Sequence, residues 1–283
     1  MKKSLKLALL VLFGLVLMGG LLLWHLAIVK QRTEVVFLNI GQGDAILISQ
    51  GDVQIMIDGG RTSKELLARL GRHLPFWDRR IEFVIATHPD ADHIGGLPAL
   101  LRTYQVEQVL TTGAESETET SRLFQETIRQ RLGHGPTRVF RGTTLELPQG
   151  GKLTVEYPRQ PIPGVVPDAD TNEGSIVARF TYGETSFLLT GDLPREETVL
   201  PDEAPVTVLK AAHHGSKYST GQAFLNLTQP KEAVISVGKN NYGHPNGDVL
   251  ARLRAIGAAI HRTDEEGDIV YRCEREAECA FVQ

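Results

Sequence analysis

Two cysteines in 283 residues are too few for a disulfide framework, and they are also too few for a zinc module built from paired thiolates. Both lie near the C-terminus, as Cys273 and Cys279 of CEREAEC. That spacing fits a hairpin, and the pair can close a disulfide if the domain lies outside the cytoplasm. Positive charge is also scarce. Lys and Arg number 30 against 34 Asp and Glu, for a net charge of −4 and a pI near 6.2. This argues against a broad basic surface that grips nucleic acid through many phosphates, so a polyanionic substrate has to be held locally. The one basic cluster, Arg122, Arg129, Arg131, Arg138 and Arg141, reads as a solvated helix face and loop. No internal repeat is present, and 41% hydrophobic and 23% charged residues indicate a globular body.

A long apolar run is present at the N-terminus. From Leu7 to Val29 the only titratable residue is His25, and at ~1.5 Å per residue the segment is long enough to cross a bilayer. No small-x-small cleavage site precedes Lys30, which favours an uncleaved anchor over a cleaved signal. No cysteine follows the run, so a lipoprotein is excluded. Lys2, Lys3 and Lys6 favour a cytoplasmic N-terminus, although Lys30 and Arg32 weaken the bias. The expected organisation is a single-pass membrane segment over residues 1–33 and one extracytoplasmic domain over residues 34–283.

In that domain VVFLNI, AILIS and VQIMID read as an antiparallel meander, followed by a helix from Ser63 to His73 and a buried strand FVIAT that ends at His88. Helices at Leu97–Tyr104 and Glu119–Leu132 follow. Strands are expected at VEQVLTT, TRVF, TLEL, KLTVEY, SIVARFTY, TSFLLT, VTVLKAA and AVISVG. Further helices are expected around Phe224 and over VLARLRAIG, with a final hairpin around GDIVYR. The Pro-rich stretch PRQPIPGVVPDADTNEG reads as an irregular loop. Two groups of strands with accompanying helices imply two sheets packed face to face, with helices outside.

The chemistry is concentrated at strand ends. His88, Asp90, Asp92 and His93 stand within six positions of ATHPDADHIGG, and imidazole nitrogens with carboxylate oxygens suit zinc, manganese or iron. Asp192 ends the apolar strand TSFLLT, where a carboxylate is costly unless it is paired or ligates a metal. His213 and His214 end VTVLKAA. Asp192 and the histidine pair, each taken alone, read better as a turn or helix cap; with the His88–His93 loop, three ligand-type clusters at strand ends together point to one metal centre.

The motifs LNIGQGDAILI, IDGG, THPDADHIGG, FLLTGD, LKAAHHGS and NNYGHP resemble the metallo-β-lactamase superfamily, with its His-x-His-x-Asp-His loop after a strand. Within it they resemble the nuclease-like domain of the ComEC group of DNA-uptake competence proteins. Asp90 stands where the broad superfamily has its second histidine, as it does in the competence group. The resemblance implies a four-layer αββα sandwich and two divalent ions, Zn²⁺ or Mn²⁺. It makes His88 and Asp90 ligands of one ion, Asp92 and His93 ligands of the other, and Asp192 the bridge. One of His213 and His214 completes the ligand set of the second ion, with His213 preferred. Asn172 takes the place of the superfamily's remaining histidine. Asp90 adds hard oxygen, which shifts preference towards manganese.

Two such ions about 3.5–4 Å apart hold a hydroxide at neutral pH and stabilise charge on a phosphoryl oxygen, which suits phosphodiester hydrolysis. Asp92 and His244 are the expected catalytic residues, and His244 either gives a proton to the leaving oxygen or caps a helix. Asp44 and Asp58 either orient ligating histidines or make turns. Ser216 and Lys217 either hold a phosphate or lie on the surface. The expected function is a membrane-anchored phosphodiesterase or nuclease acting on extracytoplasmic, single-stranded DNA. The alternatives are another phosphodiester such as phosphocholine on cell-wall polymers, a lactone, or a metal-stabilised surface binding module without catalysis.

Overall fold

The structure is a computed structural model, and it describes residues 6, 10–21, 32–162, 164–167, 171–274 and 278–282. Residues 10–21 form an exposed helix, α1. Among the described residues no helix is long and apolar enough to cross a membrane. Much of the expected anchor, Leu7–Val29, lies outside the described residues.

The body is built from two sheets. In chain order the first contributes β1 (Thr33–Phe37), β2 (Ile46–Gln50), β3 (Val53–Ile57), β4 (Arg80–Ile85), β5 (Gln105–Thr111) and β7 (Thr137–Arg138), with α2 (Ser63–His73), α3 (Ala91–Ile94), α4 (Leu97–Thr103) and α5 (Glu119–Leu132) in the crossovers. β1, β2 and β3 are the antiparallel meander read from the sequence, and β3, β4, β5 and β7 continue in parallel. The second sheet contains β8 (Thr144–Glu146), β9 (Lys152–Tyr157), β11 (Val177–Tyr182), β12 (Thr185–Leu189), β13 (Val208–Lys210), β14 (Glu232–Ile235) and β15 (Ala259–Arg262), and β12 to β15 run parallel. The C-terminal hairpin of β16 (Ile269–Cys273) and β17 (Cys279–Phe281) returns to β1 and is closed by the Cys273–Cys279 disulfide.

Alternation in the strands sends one set of side chains between the sheets and the other outwards. Phe37, Ile48 and Ile55 of the first sheet meet Phe180, Phe187 and Val208 of the second. On the outer face of the first sheet, Met56, Val84 and Val109 pack on Leu66, Leu100 and Phe124 of α2, α4 and α5. On the outer face of the second, Leu188 and Leu209 pack on Phe224 and Leu253, which belong to α6 (Gln222–Thr228) and α7 (Gly247–Ala255). The layers are therefore α, β, β and α, as expected. Capping sets the helix ends at the predicted positions: Thr62 accepts from the Glu65 N–H and Thr118 from the Ser121 N–H, while left-handed Gly133 ends α5.

Two features differ from the sequence reading. The Pro-rich stretch contains β10 (Gly164–Val165), which pairs in parallel with β6 (Ala114–Glu115), and a 3-10 turn over Thr171–Gly174. β15 was not foreseen at all. Both ladders are too short to show a period of their own, and distant partners hold them.

Glu196 makes the fold sensitive to pH. It is fully buried, and burial raises its carboxyl to about 7, although the Thr220 N–H donates to both oxygens at 2.8 and 2.9 Å. A folded-state value above the ordinary 4.5 means that the fold prefers the neutral acid. That contribution is full below about 4.5 and is lost as pH rises through 7, a difference on the order of 3 kcal/mol. Glu196→Gln should remove the dependence, so its melting temperature relative to the parent should rise by several degrees between pH 5 and pH 8. A difference that stays flat with pH would show that Glu196 does not titrate in this range.

Candidate metal centre

The carboxyl ends of β3, β4, β12, β13 and β14 open on one edge of the sandwich, and the chemistry-bearing residues lie on the loops just beyond them. The GQGD turn after β1 closes against the His88–His93 loop. A Cβ on Gly43 would lie 2.1 Å from the Asp92 carbonyl oxygen, and its φ of 128° is one that glycine tolerates.

Three imidazoles are each held through Nδ1. Thr87 Oγ1 lies 2.9 Å from His88 Nδ1 and donates to Asp58 Oδ2 at 2.7 Å. Asp58 Oδ2 also lies 2.8 Å from His93 Nδ1, and its Oδ1 accepts from the Thr87 N–H at 2.8 Å. His214 Nδ1 meets the Ser236 carbonyl at 2.8 Å. The opposite nitrogens, Nε2 of His88, His93 and His214, are buried without a hydrogen-bond partner, as is Asp192 Oδ1. They converge: His93 Nε2 is 3.3 Å from Asp192 Oδ1, and His214 Nε2 is 3.3 Å from Asp192 Oδ2 and 3.6 Å from Asp92 Oδ2. His88 Nε2 lies 3.7 Å from Asp90 Oδ2. Ligand atoms of His88, His93 and Asp192, and of Asp92, His93 and His214, fall within 4.8 Å of one another. Buried imidazoles pinned on one nitrogen and unpaired on the other, around carboxylates, fit divalent ions.

The electrostatics agree. Burial lowers His93 and His214, but Asp192 more than offsets it, aided by Asp58 at His93 and by Asp92 at His214. His93 ends well above the usual range, and His214 near 9. Protons are thus drawn to the positions that a cation suits. Burial and the adjacent His93 hold His88 well below the usual range. Asp92 and Asp192 resist the upward push of burial, Asp92 through His214 and His93, Asp192 through His214, His93 and Lys210, and both lie below the carboxylate norm. Asp90 moves the other way because burial outweighs its hydrogen bond from Thr171. Asn172, next to Thr171 on the 3-10 turn, has its Oδ1 buried and without a hydrogen-bond partner.

Several sequence expectations change here. Of the histidine pair, the fold brings His214 into ligand reach, whereas His213 is 28% exposed with Nε2 3.8 Å from Asp192 Oδ2. Both have left-handed backbones, with φ of 50° and 55°, and that turn decides which ring points inward. Ser216 is buried and its hydroxyl accepts from the Tyr218 N–H, while Lys217 lies over the Tyr218 ring; neither lines the cleft. Asp58 meets His93 Nδ1, and Asp44 ion-pairs with Lys210 while its Oδ1 lies 3.5 Å from His214 Nδ1. His244 does reach the cleft, with its ring centroid 5.3 Å from that of His213. Burial and the neighbouring His213 and His214 lower it to about 4, so it is neutral at pH 7.

Lys210 is the residue that sequence reasoning missed. It is fully buried on β13, paired with Asp44, 3.6 Å from Asp192 Oδ1, and donates to the Gly191 carbonyl at 2.7 Å. Burial pulls its pKa down, but Asp44 and Asp192 raise it above the ordinary value. A lysine inside the apolar VTVLKAA was the available signal. Ser175, whose Oγ accepts from the Asp192 N–H at 3.2 Å, gave none.

Residues 38–239 match the family described as the metallo-beta-lactamase superfamily. This chain belongs to it. The superfamily protein is also 34% identical to ComE operon protein 3 of Bacillus subtilis over 84% of its length, and 29% identical to Recombination protein 2 of Haemophilus influenzae over 91%. It spans about a third of the length of these curated relatives, 33% and 31%. Among solved structures, the metallo-beta-lactamase fold protein YhfI from Bacillus subtilis superposes with a TM-score of 0.57 at 14% identity, covering 86% of this chain and all of that one. CmlA, a diiron beta-hydroxylase from Streptomyces venezuelae, superposes at 0.55 and 12% identity, over 86% of this chain and 54% of that one. Those two likenesses concern the fold. With its histidine and aspartate clusters, the superfamily chain is a metal-dependent hydrolase with competence-protein relatives.

Proposed function

We propose that this hydrolase is a phosphodiesterase that cleaves single-stranded DNA on the outer side of the cell membrane. The observation that carries the reading is the convergence of three Nδ1-pinned imidazoles on Asp192, with Asp90 and Asp92 beside them. Zinc or manganese bound there would activate water at neutral pH and neutralise charge on a phosphoryl oxygen. His88 and Asp90 would hold one ion, with Asn172 nearby; Asp92, His93 and His214 would hold the other, with Asp192 between them. The competence relatives support a DNA substrate. The cleft, about 340 Å³, also presents Gln42, Arg61, Thr118 and Tyr242, and Arg61 with His213 and His244 can meet an anionic diester.

The test is hydrolysis by the full chain in detergent, supplied with Mn²⁺ or Zn²⁺, of a labelled single strand, the same sequence as a duplex, a phosphocholine ester and a lactone. Cleavage of the single strand is expected. Turnover of the lactone with none of the phosphodiesters would overturn the reading.

His244, being neutral, acts as a hydrogen-bond partner of the substrate phosphoryl group. His244→Ala should lower kcat about 10- to 100-fold, the range of a hydrogen bond to a charged group. The loss should be equal on DNA and on a p-nitrophenyl diester, with metal content unchanged. A much smaller loss on the p-nitrophenyl substrate would instead make His244 a proton donor, since that leaving group needs little protonation.

For location, we infer that the apolar segment stays attached as an anchor. Exposed Phe76 and Trp77 support this, because Trp77 lines one cavity with Arg32, three residues beyond the apolar run, and such aromatics suit a membrane interface. Protease added to intact cells should remove the catalytic domain. Protection until the membrane is opened would reverse the orientation.

A further inference from the structure

The cleft continues beyond the metal centre. Gln42, Arg61 and Tyr242 line both the cleft and an adjoining groove of about 610 Å³ that carries Lys239 and Asn240, together with one acidic residue, Glu65. Arg61, Lys239 and Tyr242 are exposed, the tyrosine to 70%. The wall that holds them is braced. A Cβ on Gly238 would lie 2.4 Å from the Gly41 carbonyl carbon, so the loop after β14 presses directly on the turn after β1, and the Gly238 N–H donates to Gln42 Oε1 at 3.3 Å. Asn240 crosses its own loop twice. Its Oδ1 accepts from the N–H groups of Tyr242 and His244 at 3.0 and 3.1 Å, and its Nδ2 donates to the carbonyls of Gly238 and His244 at 2.9 and 2.8 Å. The Tyr242 ring is thereby presented at the cleft mouth, its centroid 5.9 Å from that of His244 and tilted by 34°.

An aromatic face on a braced loop, between a metal centre and two cationic side chains, is the arrangement that a nucleic-acid strand needs: a platform for a base and charges for its phosphates. We propose that the groove binds single-stranded polynucleotide, with a base beside the scissile phosphate stacked on Tyr242 and the next phosphates against Arg61 and Lys239. This rests on the phosphodiesterase reading above. Stacking on Tyr242 requires an unpaired base, so the groove selects single strands over duplex. The charge contribution is local, because the protein carries a net −4.

The experiment measures binding separately from catalysis. Fluorescence anisotropy of a labelled oligothymidylate, and of a duplex, is followed on the metal-stripped full chain in detergent and on Tyr242→Ala, Tyr242→Phe and Arg61→Ala/Lys239→Ala. Tyr242→Ala should raise Kd for the single strand about 5- to 150-fold, the loss of one stacked base, while Tyr242→Phe keeps parental affinity. The double variant should reduce the slope of log K against log salt by about 1.4, which is two single-strand phosphate contacts. Unchanged Kd in Tyr242→Ala with an unchanged slope in the double variant would overturn the proposal, and so would parental binding of duplex equal to that of single strand. Hydrolysis of methyl p-nitrophenyl phosphate by the metal-loaded parent reports on the phosphodiesterase reading by itself, so failure of either is told from failure of the other.

Discussion

Asp192→Asn should lower kcat on a phosphodiester by about 10³-fold or more and bring the bound metal below the parental amount. The carboxylate lies 3.3 Å from Nε2 of both His93 and His214, and its amide would keep the shape while removing the charge that draws cations to the cluster. A loss of roughly four kcal/mol of transition-state stabilisation is what that rate factor represents. The isosteric amide is the informative variant, because Asp192→Ala would also leave a cavity and remove the side chain's hydrogen-bonding atoms from a buried site, whereas the amide changes the charge alone. Parental activity in Asp192→Asn would remove this residue from the centre.

Lys210→Met should have the largest effect on stability. Removing one partner of a buried ion pair costs about 3–5 kcal/mol, which in a domain of this size lowers the melting temperature by roughly 6–20 °C. Without the ammonium, Asp44 and Asp192 face each other's charge in a buried site with only the His93 and His214 rings beside them among the described residues, and bound divalent ions would add compensation. The loss should therefore be larger in chelator than in excess Mn²⁺, and adding Asp44→Asn should recover much of it. Thermal scans of the three proteins, with and without metal, check this. Equal losses in both conditions would mean that Lys210 supports the fold without reference to the metal centre.

Much of this centre was legible in the sequence because its donors come in short local groups at strand ends. The His88–His93 loop, Asp192 and the histidine pair each follow an apolar run that stops abruptly, and helices α2 and α5 carry their own caps and periodicity. The choice between His213 and His214 was not legible. It depends on two successive left-handed residues, a backbone state for which histidines carry no signal. The pairing of Lys210 with Asp44 spans both sheets, and no pattern along the chain joins them. Thr87 reads as the end of a β-strand, yet its hydroxyl links Asp58 to His88. The neutrality of His244 is likewise a product of assembly, since burial and two imidazoles from another loop create it.

The most direct test of the central claim is a metal titration. The full chain is stripped with chelator and titrated with Mn²⁺ or Zn²⁺. Bound metal is measured by elemental analysis, and hydrolysis of bis(p-nitrophenyl) phosphate is followed in the same samples. Two ions per chain are predicted, with activity absent in the stripped protein and rising as the sites fill. A folded, fully active protein that contains no metal would contradict the account.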